Sequence, residues 1–287
     1  MPPTIRTVNW RGDRPFSSRT RSKNMTYTET GVQQTVERLL AEADLTGPLS
    51  PEQLNFLDQY HIGGMAAVDR TIGPMHLTAA DRVLDIGSGF GGPARRIAES
   101  TGASVHGVDI TAGYVDTATT LTRRCGLHDR VTFEHNPIED HHPQRPYTAA
   151  ISMHVCMNIA DKPRWYRAIA DRLCDGDQFG IWDVVRITDG PVTFPMPWSI
   201  DGTDSHLDSP EQVQTAITGA GFETLEWVDE SGWVRDWVTQ TFGAGLHPGP
   251  GIPMVIDDGF TRTVNFGAAL AAGTLGVYRG CFTKTTP

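Results

Sequence analysis

The residues from Asp85 to Asp109 carry the clearest chemistry in the chain. "DIGSGFGG" places Gly87, Gly89 and Gly92 in a G-x-G-x-x-G pattern between an apolar run, "RVLDIG", and a helix-like segment, "GPARRIAEST". Glycines at these positions let a backbone turn tightly and approach a ligand closely. Such a loop holds a dinucleotide, a nucleotide phosphate or an adenosyl group. Asp109 follows Gly89 by 20 residues and closes the second apolar run, "SVHGVDI". A carboxylate there accepts hydrogen bonds from both hydroxyls of a ribose, which suits NAD and S-adenosylmethionine equally. Asp85 separates the two. Beside a pyrophosphate it repels; beside the ammonium of a methionine moiety it attracts. S-adenosylmethionine carries an ammonium and a sulfonium and no phosphate, so the acidic loop favours it. Capping of loop amides by Asp85 is compatible with that reading.

These residues need a scaffold. Thr35 to Ala43 has a helical pattern. "PEQLNFLDQYH" reads as a helix with Ser50 as N-cap and Pro51 at the first position, and "GGMAAVDRTIG" as a further helix ending at Gly73. Strands and helices then alternate: "RVLDIG", "SVHGVDI", "VTFEHN", "YTAAISMHV" and "QFGIWDVV" as strands, with helices between most of them. That alternation predicts a parallel sheet with helices on both faces. "SPEQVQTAITGAGF" is a capped helix, followed by the strands "ETLEWVD" and "TLGVYRGCFTK". The proline-rich 188–208 and the Trp-, Gly- and Pro-rich 231–273 are expected to cap the carboxyl edge of the sheet, where ligands bind in open α/β folds.

Composition narrows the class. The 287 residues carry a net charge of −10, which speaks against a nucleic-acid partner. No apolar run reaches the roughly 18 residues of a membrane span, and the arginine-rich start lacks the apolar centre of a secretion signal. A cytoplasmic enzyme is the expectation. Residues 1–28 form a basic tail, with Arg6, Arg11, Arg14, Arg19, Arg21 and Lys23; it reads as a loose segment upstream of a second start at Met25, or as a docking arm in a homo-oligomer. Residues 29–287 are the expected catalytic domain. Cys125, Cys156, Cys174 and Cys281 match no zinc spacing and read as free thiols. No metal is expected.

"VLDIGSGFGGPAR…VHGVDIT" resembles the first two motifs of class I S-adenosylmethionine-dependent methyltransferases. "DQYHIGG", "HVCMNIADKPRWYRAIADRL" and "FPMPWS" resemble a subset of that class, the sarcosine/dimethylglycine-type and the natural-product and terpenoid methyltransferases. The resemblance covers roughly residues 52–287. It implies an α/β, Rossmann-like seven-stranded sheet, mostly parallel with an antiparallel last strand, a helical N-terminal segment and a cap. It also implies roles. Gly87, Ser88 and Gly89 wrap the methionine and ribose, Asp109 holds the ribose, and Ile110 lies against the adenine. Asn136, Pro137 and Ile138 frame the adenine edge. Met153 and His154 lie near the sulfonium, and Tyr60, His61 and Gly64 close over the cofactor. Ser88 stands where cysteine is usual and Asn136 where aspartate is usual. "LCDGDQF" replaces the usual proline-glycine-glycine turn, with Gly176 expected to serve in a hairpin-like connection.

Methyl transfer requires alignment and exclusion of water, and for some acceptors a base. His154 is the candidate base, against a structural histidine; Tyr60 is a second catalytic candidate and could orient it. Trp182, Trp198 and His206 are candidate acceptor-binding residues, and Trp227, Trp233 and Trp237 lie in or near the expected cap. His141 and His142 read as surface residues, as do Arg186 and Arg235. An aromatic pocket with few charges suits a small hydrophobic specialised metabolite, methylated at N, O or C, with C-methylation of a prenyl or terpenoid chain a serious reading. An NAD(P)-dependent oxidoreductase and a non-catalytic adenosyl-binding protein are the alternatives.

Overall fold

A computed structural model of the chain describes residues 31–242 and 252–285. The basic tail, the start at Met25 and part of the second cap segment lie outside the described residues.

Seven strands form one sheet in the order β3-β2-β1-β4-β5-β7-β6. β1 (Arg82–Ile86), β2 (Ser104–Asp109), β3 (Val131–His135), β4 (Tyr147–Met153) and β5 (Leu173–Arg186) run parallel. β7 (Leu275–Lys284) is antiparallel to both β5 and β6 (Phe222–Asp229). The central strands are apolar on both faces, as parallel strands covered by helices must be. One face packs Val83, Val105, Ile151, Trp182 and Val184 against Val68 and Ile97. The other packs Leu84, Val108, Phe179 and Phe282 against Tyr166 and Ile169.

The connection through "LCDGDQF" is a bulge inside β5. Tyr147 of β4 faces Leu173, yet Ala149 faces Gln178. The surplus residues loop out around Gly176, at φ 91°, with the Cys174 amide donating to Asp177 (2.7 Å). Pairing with β4 and β7 absorbs what the composition alone reads as a turn.

The N-terminal helices roof the sheet edge. α1 spans Val32–Glu42. α2 (Pro51–Leu54) starts on a capping box, Ser50 with Gln53, with Pro51 in its first turn, but it lasts one turn rather than continuing towards His61. The chain turns because Asn55 has another partner. Its side-chain oxygen accepts the Met65 amide (2.9 Å) at the start of α3 (Gly64–Ile72), whose N-cap, Gly63, has no side chain to offer. Leu54 and Leu57 bury against Leu39 and Leu40 of α1.

α4 (Gly92–Thr101) follows the glycine loop, and α5 (Ala112–Arg124) follows β2. Gly92 is required by packing: a Cβ there would lie 2.4 Å from the Asp58 carbonyl oxygen. Beside it a charge pair is shut in. Arg95 of α4 meets Asp58 at 2.8 Å, both essentially without exposure. Arg95 also donates to the Ala118 carbonyl, to Thr122 and to the Phe90 carbonyl. This cluster fastens the N-terminal segment to the helix that opens from the loop. Beyond β4, α6 spans Lys162–Ala170; α7 (Pro210–Gly219) begins on a second capping box, Ser209 with Gln212; α8 (Ser231–Phe242) and α9 (Gly259–Ala271) belong to the cap region. No helix among the described residues is long and apolar enough to cross a membrane.

Candidate active site

A cleft of about 1140 Å³, its open mouth included, lies at the carboxyl ends of β1, β2 and β4. Gly87 and Gly89 form its floor, at φ 72° and 52°. At Gly87 a side chain is also excluded by space, since a Cβ would lie 2.4 Å from Val155. The Gly87 and Ser88 amides both donate to the Val108 carbonyl (2.9 and 3.1 Å), which folds the loop back onto β2.

Asp109 pins the same loop from the side. One carboxylate oxygen accepts the Gly89 amide and the other the Thr111 amide, each at 2.8 Å. A carboxylate oxygen can accept more than one hydrogen bond, and Asp109 lines the cleft. Burial raises the Asp109 pKa, and the two amides oppose that. Ile110, Asn136, Pro137 and Ile138 complete this end of the cleft. Ile110 is 67% exposed, an apolar face open to a ligand.

Asp85 lies under the loop and does not line the cleft. It accepts the Ala94 amide in the first turn of α4, so the capping arrangement is present. Its second oxygen, Oδ2, is buried with no hydrogen-bond partner. Burial first, and then the nearby Asp109 charge, push its pKa up to about 7. Because the folded protein holds this proton more tightly than the unfolded chain, stability falls as pH rises from about 4 to about 7. Asp183, pushed up to about 6 by burial, acts with the same sign. The displacement at Asp85 corresponds to about 4 kcal/mol once ionised. Asp85→Asn should therefore stabilise the protein by up to that amount at pH 8 and change little at pH 4. Thermal melts across this range check it, and a variant equally destabilised at both ends would overturn the assignment.

His154 stands directly after β4 with φ 56° and lines the cleft with Met153. Its amide donates to the Trp182 carbonyl (2.8 Å), which fixes the turn. Its Nε2 is shielded from solvent and has no hydrogen-bond partner. Burial, then the neighbouring His61, hold its pKa well below the usual value, so the ring is neutral near pH 7. The His61 ring stands 6.2 Å away and Phe266 6.0 Å, both edge-on. His61 itself is pushed down to about 4 by burial, and its Nε2 meets the Gly64 carbonyl at 3.0 Å.

Several expected residues lie elsewhere. Tyr60 lines the cleft, but its hydroxyl pairs with Tyr114, so the ring that meets His154 is His61. His61, Gly64 and Ser88 sit behind the cleft wall. Of the tryptophans expected at the site, Trp198 lines the cleft. Trp182 is wholly buried, donates to the Ile62 carbonyl (3.1 Å) and packs on Trp233. Trp227 packs on Tyr278 and Phe282 at the far edge of the sheet. His206 is also outside: its amide donates to Met157 and its carbonyl accepts from Lys162 (2.5 Å). His141 is buried, not a surface residue, held between Glu134 and Tyr147; His142 is exposed.

The cleft also contains residues that sequence reading missed. Tyr114 comes from the first turn of α5, one turn after Asp109, and that position was its signal. Met157, Asn158 and Ile159 come from a short turn after β4, and Trp165 from α6. Pro197 and Ile256 reach the cleft from the two cap segments. Among the described residues that line the cleft, the charged side chains are Asp109 and Glu139, both acidic.

Residues 83–176 match the family model described as "Methyltransferase domain". Among curated proteins, the chain is 28% identical over 177 residues to "Methyltransferase phqN" of Penicillium fellutanum, covering 58% of this chain and 54% of that protein. The chain spans about half the length of the curated relatives it matches. The fold is similar to geranyl diphosphate C-methyltransferase of Streptomyces coelicolor A3(2), with TM-score 0.61, 14% identity, and coverage of 77% of this chain and 79% of that one. It is also similar to the cyclase SpnF, with TM-score 0.60, 22% identity, and coverage of 91% and 97%. Residues 83–176 thus match a methyltransferase domain, and the seven-stranded order with its glycine loop clamped by Asp109 is a Rossmann-like methyltransferase fold.

Proposed function

We propose that the protein methylates a neutral, apolar small molecule, and that its cleft suits C-methylation of an alkene in a prenyl-type chain. The observation that carries this reading is His154, a neutral imidazole with an unpartnered Nε2, on a cleft whose lining also includes Tyr60, Trp165 and Trp198.

The residues present fit the methyl donor. Gly87 and Gly89 leave the cleft floor free of side chains. Asp109 has lone pairs left for two ribose hydroxyls. Ile110, Pro137 and Ile138 offer flat apolar contact to an adenine, and Asn136 a polar edge. When bound, S-adenosylmethionine supplies a methyl carbon activated by a cationic sulfur.

The weak basicity of His154 selects among acceptors. A hydroxyl needs a stronger base than an imidazole whose pKa lies well below 6.5. An alkene needs none before transfer. Its π electrons would form the new C–C bond to the donor's methyl carbon as the methyl–sulfur bond breaks and its electron pair stays with sulfur, leaving the neighbouring carbon cationic. That cation is a strong acid, and a weak base suffices to take its proton. His154 Nε2 receives the proton, the C–H electrons form a new double bond, and imidazolium remains. The aromatic faces of Trp165 and Trp198 favour a cation in the cleft by about 0.5–2 kcal/mol. A diphosphate or carboxylate acceptor is disfavoured by a lining whose charges are Asp109 and Glu139.

The geranyl diphosphate methyltransferase supports the fold's suitability for prenyl chains. The cyclase is a reminder that the fold alone does not carry methyl transfer. The test is incubation with isotope-labelled S-adenosylmethionine and a panel of neutral prenyl alkenes, prenyl phosphates and amines, read by mass spectrometry. Label incorporated into carbon of neutral alkenes is expected. Label confined to amines, hydroxyls or phosphorylated chains would overturn the acceptor class.

A further inference from the structure

Away from the cleft, β2, β3 and the turn after β3 bring together three side chains that the proposed reaction does not use. His106 Nε2 and His141 Nδ1 both face the same oxygen of Glu134, at 3.4 and 2.8 Å. The three potential ligand atoms all lie within 4.8 Å of one another. The two imidazoles stack with centroids 5.1 Å apart and planes inclined by 23°.

We propose that His106, Glu134 and His141 bind one divalent cation of zinc type at this edge of the sheet. Two imidazoles and one carboxylate are a donor set that suits zinc, with water completing the coordination. The outer partners are already in place. His106 Nδ1 meets the Thr132 hydroxyl at 2.8 Å, and His141 Nε2 meets the Tyr147 hydroxyl at 2.9 Å. Metal-bound histidines are held in this way through the other ring nitrogen. Asn136 donates to the second Glu134 oxygen (2.5 Å) and fixes the carboxylate.

The hydroxyls also solve the proton problem. Without a cation, each imidazole donates to Glu134 and accepts from its hydroxyl. With a cation, each ring proton moves to the other nitrogen and is donated to the hydroxyl oxygen, because a hydroxyl serves in either role. No proton need leave the site. One side is open: His106 is 21% exposed and Glu134 39%. The Arg82 and Arg172 guanidiniums near the imidazoles oppose a cation and set affinity below that of a structural zinc site. No spacing rule reveals the cluster, because its residues come from two strands and a turn.

The test is calorimetric titration of the metal-stripped full chain with Zn²⁺ at neutral pH, in a Cys174→Ser background that removes an exposed thiol. One equivalent should bind with micromolar affinity. His106→Asn and Glu134→Gln should each weaken it about tenfold or more while leaving the metal-free melting temperature unchanged. Absent binding, or binding unmoved by both substitutions, overturns the site. If a variant fails to fold, imidazole NMR of the unsubstituted chain decides: Zn²⁺ must shift His106 and His141 before any other histidine, and any other order overturns the proposal.

Discussion

Replacing His154 is expected to lower kcat by roughly 10²–10⁴, while affinity for S-adenosylmethionine stays within a few-fold. His154 lines the cleft, and its Nε2 is buried without a hydrogen-bond partner, so its loss removes the proposed proton acceptor. His154→Asn is the cleaner substitution, because φ 56° lies in the left-handed region that asparagine tolerates better than alanine. With the ring neutral in the folded protein, this group should leave the rate flat between pH 6.5 and 8. Donor Kd and single-turnover rate, measured on the same variant, separate the roles. A normal rate at saturating donor, with weakened affinity or folding, would make the histidine structural.

Asp58→Ala should destabilise the protein by about 3–5 kcal/mol, the cost of leaving a buried guanidinium without its partner. Burial pushes the Asp58 carboxyl up and Arg95 pulls it down, so the pair exists only because each compensates the other. Asp69→Ala is the control. Its bond to Arg96 has the same 2.8 Å length but is solvated, and its loss should cost less than about 1 kcal/mol. Urea titrations of both variants compare burial against distance. Equal effects would show that the enclosure of Arg95 does not govern its contribution.

The sheet was legible because its signals are local. Apolar runs ending in glycine or aspartate mark β1 and β2, and Ser50 and Ser209 mark their helix starts through capping boxes. Asp109 was legible because strand end and glycine loop fix its position. What failed depends on distant partners. α2 ends early because Asn55 caps another helix. "LCDGDQF" joins β5 because β4 and β7 pair across it. Trp182 reads as an acceptor-binding residue, yet alternation along β5 turns it into the core beneath α3. The burial of Arg95 depends on Asp58, 37 positions away. His141 looks like a loop histidine until Glu134 and Tyr147 enclose it.

Calorimetric titration of the full chain with S-adenosylmethionine, alongside NADH and the Asp109→Ala variant, tests the central claim most directly. S-adenosylmethionine should bind one to one and NADH should not. Asp109→Ala should lose about 1.5–3 kcal/mol of donor affinity, the range for charge-assisted hydrogen bonds, in a protein that still melts cooperatively. No heat with S-adenosylmethionine, or an unchanged affinity in the folded variant, would contradict the account.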